Sequence, residues 1–474
     1  MPDPKRGIFK RYLLGAFLIV LAAAAATGVA AYEELDAVTN ALEKNERLKL
    51  DDELQNADAG KPQTIMLIGS DTRGKGARDY TGERGLSDTM MLVRLDPSKK
   101  QIAVLSLPRD LKVRIPGHGV DKLNAAYALG GVKLTLKTVK EFTGLGVNHV
   151  VNINFRGFRK AVNALGCVYT DIDRRYFNDN SSGEQYATID IKPGYQKICD
   201  QDALDYVRYR HTDTDIIRGA RQQGFLRALK AQIGVSRIIR ERKELLKIFG
   251  QYTQSDIGGS KKTVLRLLKL VVASAKLPIH QVQFKGNLGA SYVTATSEAA
   301  HQLADEFLGV DLDDAGTKKK KKRKKKEGPA RMVDASGMGK NMALQVVTQG
   351  LRRLEVFYPR MLTPGAQFIA PPRAYTLKDR KGRKQRAYRI VVGEGEIGHY
   401  YGVQGTTWKN PPILSGPHEK REVGGRKVQI YYDGTRVRLV AWKTKQGSYW
   451  ISNSLTQKLT LKQMLALVRA TKPL

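Results

Sequence analysis

Histidine and cysteine are scarce in this chain, seven and two among 474 residues, and nothing in their spacing suits a zinc site. A Gly-x-x-x-x-Gly-Lys-Ser/Thr phosphate loop and a Gly-x-Ser-x-Gly nucleophile turn are both missing, so neither chemistry has residues to carry it. Acidic residues are outnumbered, 46 against 81 Lys and Arg, for a formal charge of +35. That imbalance suggests anionic partners (nucleic acid, anionic lipid or phosphate-bearing polymer) without choosing among them. Tryptophan occurs three times, as Trp408, Trp442 and Trp450. A hydrophobic share of 41% still supports real cores, which excludes a broadly disordered chain. The length exceeds what one core usually serves, so two folded domains joined by linkers are expected.

What is present first is an N-terminal pattern. Lys5, Arg6, Lys10 and Arg11 precede an uncharged, mostly apolar run over 12–31, and Glu33, Glu34 and Asp36 follow it. The run matches the hydrocarbon thickness of a bilayer. Its basic flank predicts a cytoplasmic tail over 1–11, a transmembrane helix over 12–31 and an exported remainder. A cleaved signal peptide ending near Val29-Ala-Ala31 is the competing reading. Export makes nucleic acid an improbable partner. It also invites a Cys167–Cys199 disulfide, against the alternative of two unrelated buried thiols.

Residues 32–60 are polar and helix-compatible without a clear apolar stripe, and read as a stalk. Short apolar strands are expected at 64–70, 89–95, 101–105, 147–155 and 168–172. Helical periodicity is expected at 134–142, 157–165, 203–210, 218–239, 261–275 and 297–308. The alternation argues an α/β or α+β domain over 61–310, a central sheet flanked by helices. Lys318–Lys326 is nine consecutive basic residues inside a linker over 311–335, either a solvated spacer or a tether to anionic wall polymer. A smaller, strand-rich α+β domain follows over 336–474. Its tryptophans either stack on sugar or, more ordinarily, fill the core.

The chemistry gathers at predicted strand ends. The stretch Ser106-Leu-Pro-Arg-Asp110 closes an apolar strand with a rigid proline turn that presents Arg109 beside Asp110. Asp71 and Arg73 follow the first strand, Asp88 precedes the second, and Lys122 and Asn124 come soon after. Tyr206 to Gln223 then supplies Arg208, Arg210, Asp215, Arg218, Arg221 and Gln222. Arg208 and Arg210 share a face if that segment continues as a strand. Arg218, Arg221 and Gln222 share one if a helix starts near Asp215. Ligands of open α/β sheets sit beyond the strand carboxyl ends, and guanidinium forks match phosphate oxygens. Carboxylates among such arginines make sense if Mg²⁺ bridges a pyrophosphate.

These same blocks, Ile68-Gly-Ser-Asp-Thr-Arg73, Ser87-Asp-Thr-Met-Met-Leu-Val93, Ser106-Leu-Pro-Arg-Asp110, Lys122-Leu-Asn-Ala-Ala-Tyr127 and Val207-Arg-Tyr-Arg210 with Arg221-Gln-Gln223, resemble the signature of the LytR-CpsA-Psr family. The order and spacing hold from about Thr64 to Gln232. The resemblance implies a ligase outside the bacterial cytoplasmic membrane, moving a glycopolymer from a polyprenyl-pyrophosphate carrier onto peptidoglycan as a phosphodiester. It implies a central mixed sheet with helices and an apolar pocket for the lipid. By motif position the resemblance implies that Asp71 and Asp88 would bind Mg²⁺. Arg109, Arg208, Arg210, Arg218 and Gln222 hold the pyrophosphate, Arg73 and Lys122 stand beside them, and Asp215 accepts the proton of the attacking hydroxyl. One departure is visible: Leu86 stands where the family usually has arginine, two places before Asp88, with Arg84 nearby. Two other readings stay open, a polyprenyl or nucleotide pyrophosphatase and a non-catalytic wall-binding or regulatory protein.

Overall fold

A computed structural model describes residues 47–70, 87–181, 187–310 and 330–474, apart from 51, 57, 59, 211, 234–236, 238–239, 258–260 and 275–276. The apolar run at 12–31, Asp71, Arg73, Arg84, Leu86, His211 and the basic run at 318–326 lie outside them. Among the described residues no helix is long and apolar enough to cross a membrane.

The first unit is built on three consecutive antiparallel strands, β1 (Gln63–Ser70), β2 (Ser87–Asp96) and β3 (Gln101–Leu107). A hairpin of β4 (Lys112–Ile115) and β5 (Gly119–Lys122) leads into helix α1 (Leu123–Thr143). Then come β6 (His149–Asn154), α2 (Phe155–Ala164), β7 (Val168–Ile172), β8 (Tyr176–Asn178), β9 (Ile189–Ile191) and β10 (Gly194–Ile198). Helices α3 (Asp200–Arg208), α4 (Asp215–Gln232) and α5 (Arg242–Tyr252) follow, then β11 (Thr253–Ser255), α6 (Lys261–Ser274), β12 (Ile279–Val282) and α7 (Ser297–Leu308). The central sheet runs β11-β6-β1-β2-β3-β12. Pairs β1–β6 and β3–β12 are parallel, so the sheet is mixed, as expected.

Side-chain alternation sorts the strands between two layers. Met66, Ile68, Leu92 and Leu105 bury one face against Leu136 and Val139 of α1 and Leu303 and Phe307 of α7. Met91, Leu95, Ile102 and Val104 bury the other against Leu270 of α6. Each such side chain removed from water contributes about 1.5–3 kcal/mol before entropy is counted.

Three expectations needed correction. The stretch assigned to a stalk docks on this domain from residue 48: Leu48 N–H donates to Ser255 O at 3.0 Å, Gln55 N–H to Val147 O at 2.8 Å, and Leu50 is core. The spacing of Leu48, Leu50 and Leu54 is irregular, which hid their apolar face. The helix expected through Ile239 ends at Gln232, where Ile233 turns extended just before Gly234. Arg208 is the last residue of a helix, so it shares no strand face with Arg210. Tyr206 and Val207 are buried with Ala203 and Leu204 at helical spacing, and Asp200 and Asp202 suit the positive helix start.

Cys167 and Cys199 form a disulfide across the outer ends of the β7–β10 pair. The last unit is an eight-stranded antiparallel arrangement covered by helices at Ser336–Thr348 and Leu461–Ala470. All three tryptophans are buried. Trp442 stacks on Tyr449 inside that unit, whereas Trp408 and Trp450 pack on Tyr169 and Tyr195 of the first. The units are further tied by Arg389 and Trp450 Nε1 on Asp171, and by Arg227 on Asp433 at 2.6 Å.

Candidate active site

The sheet's strand directions place the carboxyl ends of β1, β3 and β6 on one edge, together with the start of β2. The turn after β3 is pinned there on every side. Leu111 N–H closes it on Pro108 O at 3.2 Å, Asn124 N–H bonds Arg109 O at 3.0 Å, and Val293 N–H bonds Asp110 O at 2.9 Å. Asp110 N–H donates to Asp215 Oδ2 at 3.0 Å, which fastens the turn to the first residue of α4. Helix α4 reaches this close because residue 219 is glycine: a Cβ there would sit 3.0 Å from the Cβ of Ser106. Thr214 caps the helix, its side chain accepting from Ile217 N–H.

Side chains then converge from segments far apart in sequence. Asp88 lies between two arginines, Oδ1 at 3.4 Å from Arg109 Nη1 and Oδ2 at 3.4 Å from Arg208 Nε. Arg109 Nε is 3.7 Å from Asp110 and 3.8 Å from Asp215. Arg218 Nη2 holds Asp215 at 2.8 Å, and Lys122 Nζ holds Asp110 at 3.1 Å. Arg208 Nε has no hydrogen-bond partner among the described residues, and the guanidinium lies 3.9 Å from the Phe155 ring centroid. Burial, reinforced by the like charge of Arg109, pulls Arg218 below the usual arginine value, and Asp215 opposes this. Four cations thus face three carboxylates, mostly at loose distances, with a positive excess.

Gln222 is tied down differently. Its amide nitrogen donates to Thr89 Oγ1 at 2.9 Å and to Val207 O at 3.1 Å, so both donors are spent bracing α4 against β2 and α3. Arg210 lies beyond the end of α3 in a turn closed by Asp213 N–H on Arg210 O at 3.1 Å. Arg221, expected on the same face as Arg218, points into a separate buried network. Sequence reasoning missed Phe155 beneath Arg208, Thr89 beneath Gln222 and Tyr292 near Lys122, at 5.8 Å. Nothing in the local sequence signals these contacts, which depend on long-range packing. A cavity of about 40 Å³ borders Asp215 and Pro108, room for two or three waters and too small for a prenyl chain.

The Mg²⁺ expectation bears on Asp88, whose carboxylate is 20% accessible at the sheet edge and offers hard oxygen ligands. Among the described residues no three His, Cys, Asp or Glu side chains assemble into a complete cage. A cation that takes its remaining ligands from phosphate and water fits such a site.

The sequence model of the LytR-CpsA-Psr family matches residues 26–309. The polyisoprenyl-teichoic acid–peptidoglycan teichoic acid transferase TagT of Bacillus subtilis is 36% identical over 177 residues, 37% of this chain and 54% of that protein. The transferase TagU of Oceanobacillus iheyensis, bearing the same enzyme name, is 28% identical over 52% of this chain and 75% of that protein. The chain spans about half the length of the Bacillus relative and of a Staphylococcus aureus protein, of which it covers 55%. A solved structure of a LytR-CPS2A-psr family protein, YwtF (TagT), with bound octaprenyl pyrophosphate lipid is 25% identical. The match covers 54% of this chain and 92% of that one at a TM-score of 0.39, too low to argue from.

Proposed function

Because the chain belongs to the LytR-CpsA-Psr family, we propose that it transfers a glycopolymer from a polyprenyl-pyrophosphate carrier to a peptidoglycan hydroxyl. The observation that carries this reading is the meeting of Asp88, Arg109, Arg208, Asp215 and Arg218 at one sheet edge, from four separate stretches of chain. The names of its relatives as teichoic acid transferases support the substrate class.

In the proposed step the acceptor hydroxyl oxygen attacks the phosphorus next to the glycan. A new P–O bond forms, the bridging P–O bond breaks, and polyprenyl phosphate leaves with the electron pair. Arg109 and Arg208 follow the charge onto the departing phosphate, which is where fixed cations lower the barrier. Lys122 and Arg218 raise the local positive potential, with Arg73 and Arg210 further candidates for the same task. Asp88 with Asp71 would hold Mg²⁺, which supplies additional charge neutralisation at the pyrophosphate. Asp215 already engages Asp110 N–H and Arg218, and its side chain is only 8% accessible. We therefore assign it to positioning Arg109 and Arg218 ahead of proton acceptance. Phosphoryl transfer through a loose transition state demands little of a base, and the hydroxyl proton passes to a phosphoryl oxygen. The anchor at 12–31 would place this chemistry outside the cytoplasmic membrane.

The test is transfer by the full chain in detergent, supplied with polyprenyl-pyrophosphate-linked glycan, Mg²⁺ and peptidoglycan. Arg109→Ala should lower phosphodiester formation at least about a hundredfold while the protein melts as before. Normal transfer by that variant would overturn the site. Release of polyprenyl phosphate at full rate without acceptor would identify a pyrophosphatase instead.

A further inference from the structure

The seam between the two units holds a partly open cavity of about 130 Å³, bordered from one side by Asp171, Asp173 and Arg227 and from the other by Arg438 and Ser452. That is room for several waters or one phosphate-sized ion. Arg438 stands on the strand Arg436–Lys443 of the last unit. Its Nε is buried without a hydrogen-bond partner among the described residues, and its guanidinium lies 5.6 Å from the Tyr431 ring centroid. Burial, then the like charge of Arg227, brings it down to about 10 against the attraction of Asp433 and Asp171, still charged at neutral pH. A guanidinium nitrogen shut away from water without an acceptor is costly, and such a cost usually marks a missing partner.

Across the cavity Arg227 makes its side-chain hydrogen bonds among the described residues through Nη1, to Gln281 Oε1 at 2.5 Å and Asp433 Oδ2 at 2.6 Å. Its Nε and Nη2 remain. The two bordering carboxylates do not supply the missing partner. Asp171 receives Arg389 Nη1 and Trp450 Nε1. Asp173 receives the Tyr176 hydroxyl at 2.6 Å. The cavity is therefore lined by unspent guanidinium donors, while of the bordering carboxylate oxygens Asp173 Oδ2 has no hydrogen-bond partner among the described residues.

We infer that this cavity binds a phosphate-sized oxyanion, clamped between Arg227 of the first unit and Arg438 of the last. Two planar forks facing one small space suit tetrahedral oxygens better than a point contact would. The site is separate from the sheet-edge cluster: Arg218 and Arg227 stand nine positions apart on α4, about 14 Å along its axis. It does not depend on the transferase reading. The oxyanion is either free phosphate or a phosphoryl group carried on a sugar, with the same recognition chemistry.

The experiment is calorimetric titration of the full chain in detergent with inorganic phosphate and, separately, glucose 6-phosphate, at ionic strength matched with chloride. Arg438→Met should abolish one phosphate site or weaken it at least tenfold, and Arg109→Ala should leave that site intact. Competition by glucose 6-phosphate for this site would identify a sugar-borne phosphoryl group; binding of inorganic phosphate alone would identify the free ion. Superimposable isotherms for wild type and Arg438→Met would overturn the inference. Should circular dichroism show Arg438→Met unfolded, Arg438→Lys decides: a loss of about tenfold supports the clamp, and unchanged binding refutes it.

Discussion

Two arginine–aspartate clusters sit on helix α4 within one turn of each other, and they are built in opposite ways. At the sheet edge Arg109 and Arg208 share Asp88 at 3.4 Å, with part of each side chain open to solvent. Three residues past Arg218, Arg221 is fully buried: its two terminal nitrogens reach Asp213 and the carbonyl of Tyr209, and Tyr176, Tyr206 and Tyr209 surround it. Arg174 closes the other side of Asp213 at 2.6 Å. Composition does not separate the clusters. Pairing distance does: one clasps Asp213 between Arg174 and Arg221 at hydrogen-bond distance and fixes the fold, the other shares Asp88 loosely and keeps cationic capacity for a ligand.

The largest effects test this contrast directly. Arg109→Ala should remove transfer while unfolding stays within about 0.5 kcal/mol of wild type, the range of changes away from structural networks. Arg221→Met should do the reverse. It strips one partner from a buried carboxylate, which costs about 3–5 kcal/mol, and any protein that remains folded should transfer. Urea titration and the transfer assay on the same two preparations read both quantities. If Arg221→Met melts like wild type, the buried cluster is not structural and the contrast fails.

A smaller effect sharpens the boundary between the clusters at Asp215, where α4 begins. As a positioning residue its loss loosens Arg109 and Arg218, so Asp215→Asn should lower kcat about tenfold with an unchanged pH–rate profile. A proton acceptor would instead lose the acidic limb of that profile. Flattening of the limb would return Asp215 to the role the family resemblance implies.

How much of this was legible beforehand follows from how local each feature is. The strands at 63–70, 87–96 and 101–107 were readable because their apolar runs are dense and bounded by turns. The layered α/β or α+β class followed from alternation with helices, and the mixed sheet from the family resemblance. The meeting of Asp88, Arg109, Arg208 and Asp215 was anticipated from strand-end positions and motif order, and the coordinates bring those four together. Asp71 and Arg73 lie outside the described residues. The division between Arg218 and Arg221 was not legible: residues three apart on a helix lie only about 60° apart around it, and what each meets is decided by Tyr176 and Asp213, brought in by other segments. Nor could the sequence show that Trp408 and Trp450 serve the seam, because their partners Tyr169 and Tyr195 lie more than two hundred residues upstream.

The smallest effect concerns the acid beside the buried cluster. Burial raises the Asp173 carboxyl above its ordinary value, while Arg174 and the Tyr176 hydroxyl oppose the shift. The unfolded chain thus gives up this proton at lower pH than the folded protein does. The associated stability is complete below about pH 4 and is lost as the pH rises through the folded value. Asp173→Asn keeps the carbonyl that accepts from Tyr176 and removes the titration. Wild type should therefore lose stability relative to Asp173→Asn between about pH 4 and neutrality, by about 1.4 kcal/mol for each unit of the shift. Urea midpoints taken across that range measure the difference. Parallel curves would mean that burial does not raise Asp173, and that the buried cluster pairs all its acids rather than leaving one to bind a proton.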